Sequence, residues 1–130
     1  MKRDIQNRAD IKQLIQYFYT QLLEDKEMHH LFIDIAQIDL PAHLPILCDF
    51  WEGVLFHTNT YRRNTMQKHL DLHQKYPLTK AHFDYWLGLF KASVDELFIG
   101  EKAELAKTRA LSIATVMQIK IHQLDSNSLL

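Results

Sequence analysis

Apolar residues recur at spacings of three and four through most of the chain, the signature of amphipathic helices. Ile11, Leu14, Ile15, Phe18 and Leu22 form the first stripe, with Asp10 expected as its N-cap. Tyr19 lies four residues after Ile15 and three before Leu22, so it borders the same face and would point its hydroxyl inward. The second stripe runs Leu44, Leu47, Phe50, Trp51, Val54 and Leu55, behind Pro41 and Pro45. Proline costs about 3 kcal/mol in a helix interior, so this helix is expected to start near Pro45 or to kink there. A third helix is expected behind the N-cap Thr79, carrying Phe83, Trp86, Leu87, Phe90, Val94, Leu97 and Phe98 and ending at Gly100. The fourth, from about Glu101 to Leu124, buries Ala106, Ala110, Ile113, Ala114, Met117 and Ile121, and its small residues let two long helices approach closely.

The pattern breaks in two places. Between Asp25 and Leu40 it gives way to a polar turn and one or two short helical turns anchored by Leu31, Phe32 and Ile35. His29 and His30 are adjacent there, face different directions on a helix and are unsuited to chelating one metal together. From His57 to Lys68 turn residues dominate, with Arg62, Arg63 and Lys68 either solvated or paired with an anionic group of a ligand. The tail DSNSLL is expected to fray. With three glycines and three prolines, the chain carries few of the turn signals that punctuate a sheet protein. The reading is therefore all-α, one domain over 1–130 with an ordered core at about 10–124.

Charge narrows the function classes. Fifteen basic residues nearly cancel sixteen acidic ones, so the net charge of −1 offers no footprint for nucleic acid or an anionic membrane. No apolar run approaches the roughly 18 residues of a membrane span, and the opening MKRDIQNRAD is too polar for a secretory signal, so a cytoplasmic location is expected. A monomer is expected as well. Cys48 is the only cysteine, which excludes an internal disulfide, and no CxxCH motif offers covalent haem attachment.

The candidate chemistry is histidine and aromatic. A neutral imidazole is a good metal ligand when one ring orientation is enforced and the other nitrogen has an acceptor. His69, flanked by Leu70 and Leu72 ahead of the break at Pro77, is the leading candidate, and it needs partners elsewhere in the chain. His69 and His73 share the i, i+4 spacing of some zinc sites, without a glutamate beside His69 or a second ligand pair. His43, four residues before Leu47 and eight before Trp51, shares a face with both if its lead-in is helical, whereas Pro45 is expected to disturb the backbone there. A buried Tyr19 hydroxyl would need a partner, either a backbone carbonyl or a ligand.

Four segments carry a resemblance. FYTQLL holds Phe18 and Tyr19, HLPILCDFW holds His43 and Trp51, KHLDL holds His69, and HFDYWLGLF holds Trp86. In this order and at these separations the chain resembles a truncated haemoglobin, specifically the third group of that bacterial family, from about Ile11 to Ile121. The group lacks the Gly-Gly pairs of other truncated haemoglobins, and none occurs here. The resemblance implies a two-over-two helical sandwich with a non-covalent haem b between the first two long helices and the last two. It implies His69 as the axial iron ligand, Tyr19 and Trp86 as donors to the bound ligand, and His43 as the distal histidine. Leu47 and Trp51 would stand behind His43, with Phe18 packed on the distal side. Arg62, Arg63, Lys68 and Leu72 complete the candidate cofactor contacts.

A globin of this kind would bind dioxygen, nitric oxide or carbon monoxide reversibly. Nitric oxide oxidation or peroxide reduction would need a separate reductase, because no electron source is encoded in this chain. The competing reading, from another class, is a non-haem helical interaction or zinc-binding module with His69 and His73 at the surface and Tyr19 and Trp86 filling the core.

Overall fold

The computed structural model describes residues 1–58, 72–73 and 77–128. Helix α1 spans Arg8–Leu22, and its N-cap is Asn7, whose side chain accepts the Asp10 N–H at 3.0 Å. Asp10, expected in that role, stands inside the first turn instead. Its buried carboxylate accepts the Gln6 N–H at 2.8 Å and pairs with the Arg3 guanidinium. Both positions suit an acceptor, because the first turn of a helix presents unpaired N–H groups and the positive end of its dipole.

After a short turn, α2 covers Lys26–His29 and passes directly into a π-helical turn, His30–Ile35. The expected irregular stretch is thus a wall segment, with Leu31 buried and Phe32 and Ile35 partly covered. It ends at Gln37, which takes a left-handed conformation at φ 54.

Helix α3 spans Leu40–Phe56 behind the N-cap Asp39. It starts five residues before Pro45, which lies inside the helix, and His43 therefore sits on regular helical backbone. Pro41 falls in the first turn, where proline's missing N–H has no intrahelical partner to lose. The Pro45 carbonyl also accepts from Arg8 Nη2 at 3.2 Å, which ties α3 to α1.

Thr79 caps α4, Lys80–Leu97. The helix stops short of Gly100 because Phe98 turns extended and bridges to Arg3, with the Ile99 N–H donating to the Arg3 carbonyl at 3.0 Å. Helix α5 then runs Glu101–Ser128, so most of the tail expected to fray is helical. Its first turn is capped from the opposite end of the chain: Asp4 accepts the Lys102 and Ala103 N–H groups at 2.8 and 2.9 Å.

α1 packs on α3 and on α4, α4 packs on α5, and α3 reaches α5, which gives the two-over-two sandwich. Ala103, Ala106, Ala110 and Ala114 form the buried edge of α5, and their small side chains set the close approach to α4. Among the described residues, no single helix is long and apolar enough to cross a membrane.

Candidate functional site: a cavity between the helical layers

A cavity of about 540 Å3 lies between the layers, within the range of about 300–1,000 Å3 typical of small-molecule and cofactor sites. Every described element contributes to it. Tyr19 comes from α1, Leu31 and Phe32 from the wall segment, and His43, Leu47 and Trp51 from α3. His82, Phe83 and Trp86 come from α4, and Ile113, Ala114 and Met117 from α5, with Leu72 and Leu78 closing the side before α4. The i, i+4 and i+8 spacing of His43, Leu47 and Trp51 is what turns all three to one face.

Of the sequence candidates, Tyr19, His43, Leu47, Trp51, Leu72 and Trp86 thus meet around one space. Phe18 does not line it. The Phe18 ring is buried and packs edge-on against Tyr19, Trp86 and Phe90, with centroids at 5.2, 6.0 and 5.4 Å. Arg62, Arg63, Lys68 and His69 lie outside the described residues. His73 is buried, and its Nδ1 accepts the Leu78 N–H at 2.8 Å. No group of three His, Cys, Asp or Glu side chains suited to a metal ion occurs among the described residues.

The polar groups in the cavity wall are few. Tyr19 is 7% exposed, and no described residue accepts a hydrogen bond from its hydroxyl. Burial pushes its pKa well above the ordinary phenol value, so the group stays a protonated donor at any physiological pH. The Trp86 indole N–H likewise has no acceptor among the described residues. A donor left unpaired in an apolar setting costs about 1–3 kcal/mol, which a ligand with an acceptor atom would relieve. Cys48, on the far side of α3 from the cavity lining, is buried, and burial pushes its thiol pKa up, leaving it unreactive.

Sequence reasoning passed over His82. It lines the cavity, is buried, and closes a capping box in which its Nδ1 accepts the Thr79 N–H at 3.0 Å. That bond leaves the proton on Nε2, which faces the Glu27 carboxylate. The signal was present: the spacing Thr79-x-x-His82 places a side-chain acceptor where a capping box ordinarily has Glu or Gln.

Comparison with known proteins agrees with this architecture. A family model described as bacterial-like globin matches residues 4–123. The chain is 28% identical over 126 residues to a group 3 truncated hemoglobin of Campylobacter jejuni, covering 95% of this chain and 97% of that protein. The crystal structure of a group III truncated hemoglobin from Campylobacter jejuni superposes with a TM-score of 0.81 at 28% identity, covering 93% of this chain and 95% of the other.

Proposed function

The chain belongs to the bacterial-like globin family, a family of haem proteins, and from that premise we propose that the interlayer cavity holds a non-covalent haem b for reversible binding of dioxygen and nitric oxide. The observation that carries this reading is the pair of donors with no acceptor among the described residues, Tyr19 and Trp86, in the wall of a mostly apolar space. A haem there would supply an iron that binds small diatomic ligands. In this reading the imidazole of His69, in the KHLDL segment, would hold the iron. The cavity fits such a group in size and in chemistry: aromatic and aliphatic walls cover a flat macrocycle, and the buried Cys48 is outside the lining, consistent with non-covalent retention.

The chain's own residues then act on the ligand. The Tyr19 hydroxyl and the Trp86 indole donate hydrogen bonds to a ligand atom that gains negative charge on binding, in the manner of an oxyanion pocket. Phe18 and Phe90 fix the Trp86 ring, the first edge-on at 6.0 Å and the second stacked at 5.7 Å, so the indole is oriented before the ligand arrives. The apolar surround excludes water that would compete for both donors. His43 adds a third polar group at the same space, half-buried on α3. Slow ligand release follows, which suits ligand chemistry better than bulk oxygen delivery.

Each such hydrogen bond to a charged acceptor is worth roughly 1.5–3 kcal/mol, a factor of about 10 to 100 in release rate. Stopped-flow measurement of oxygen dissociation therefore tests the assignment: Tyr19→Phe is expected to release oxygen about 10- to 100-fold faster with haem content unchanged. An unchanged rate would remove Tyr19 from the role.

A further inference from the structure

Glu27 and His82, fifty-five residues apart, join the wall segment to α4. On the α4 side the anchor is rigid. His82 is 8% exposed, and the Thr79 capping box holds its ring through Nδ1. On the other side the chain is irregular. The helix winds into a π turn closed by the Ala36 N–H to the Leu31 carbonyl at 3.0 Å, and it ends at Gln37, a non-glycine residue at φ 54. Irregular winding and a left-handed residue mark a segment able to open locally at a lower cost than the packed helices. This segment is also cavity wall, through Leu31, Phe32, Gln37 and Ile38. Its Phe32 ring meets the Tyr19 ring edge-on at 6.0 Å, so movement of the wall reaches the buried phenol.

We propose that Glu27 and His82 are positioning residues that latch this wall over the cavity and so set how fast small ligands pass between solvent and the site, an inference that rests on the haem reading of that cavity. The wall carries the exposed half of the latch, since the Glu27 side chain is 56% exposed and that of His82 is 10% exposed. Losing the Glu27 carboxylate removes the partner that the wall supplies to the His82 ring and frees the wall at its α2 end. Glutamine retains an oxygen that can accept the same proton, so the conservative variant keeps the latch.

The test pairs two readouts on wild-type, Glu27→Ala and Glu27→Gln chains: amide hydrogen exchange across Met28–Asp39, and carbon monoxide association after flash photolysis of the haem-loaded protein. Glu27→Ala is expected to raise both rates about fivefold, with exchange in α5 unchanged, and Glu27→Gln to stay within about twofold of wild type. Exchange that rises uniformly through α5, or an alanine variant that moves neither readout, overturns the latch. A wild-type chain that takes up no haem defeats the haem reading instead, and the exchange measurement still decides whether the pair holds the wall.

Discussion

Trp51 on α3 and Phe90 on α4 stack face to face, with ring centroids 5.0 Å apart and planes 17° from parallel. Phe90 also stacks with Trp86 at 5.7 Å and 11°, so one buried phenyl ring joins the two indoles that border the cavity. A contact between the two layers is therefore also one that fixes the polar wall of the site.

Replacing Phe90 by alanine empties a fully buried position and is expected to cost about 3–5 kcal/mol. A urea unfolding curve reads this as a fall in midpoint at constant slope. Oxygen release should quicken in the same variant, because Trp86 loses its stacking partner. A change below 1 kcal/mol would mean that the stack contributes little to the layer contact.

Gly100 has φ 142, and a Cβ built there would fall 2.5 Å from Asp4 Cγ. Alanine must therefore distort the backbone and push away the carboxylate that caps α5. Gly100→Ala is expected to destabilise the chain by about 1–3 kcal/mol, measured by thermal or urea unfolding. Asp4→Ala, which removes the cap and leaves the backbone alone, should cost about 0.5–2 kcal/mol.

Stability should fall in acid through the same arm of the chain. The Arg3 side chain holds Asp10 below the ordinary carboxylate value, against burial, with help from the Gln6 N–H. For Asp4, burial works upward, but the N–H groups of Lys102, Ala103 and Ile5 together outweigh it and hold the pKa low. A carboxylate whose folded pKa is depressed contributes stability above its unfolded value of about 3.9 and loses it as pH falls through the folded pKa. Unfolding midpoints should therefore be level near neutral pH and drop below about pH 4, and Asp10→Asn should flatten that drop. An equal drop in the asparagine variant would assign the acid sensitivity to other groups.

The long helices and part of the cavity lining were legible because periodicity reports which face is buried. Ile11 to Leu22, Phe83 to Val94 and Ala106 to Ile121 point where their spacing says, and the cavity lies where those faces meet. Long-range polar contacts were not legible. Asp4 caps a helix 98 residues away, and Arg3 pairs with Asp10 across the start of α1, neither of which local spacing encodes. Of the two expectations for Pro45, a helix start or a kink, the first does not hold, because the helix begins at Leu40 and passes through the proline. The wall segment was invisible as a structure: π winding has no short sequence period, and its tie to His82 spans 55 residues.

The central claim is that the space between the layers is a haem slot, and titrating the haem-free chain with haem while following the Soret band tests it most directly. Wild-type protein should saturate stoichiometrically. Leu47→Trp, which projects a larger side chain into the slot from the partly buried lining of α3, should retain its helical circular dichroism and lose the saturable band. A wild-type chain with no saturable band, or a folded Leu47→Trp chain that binds haem as well as wild type, would contradict the account.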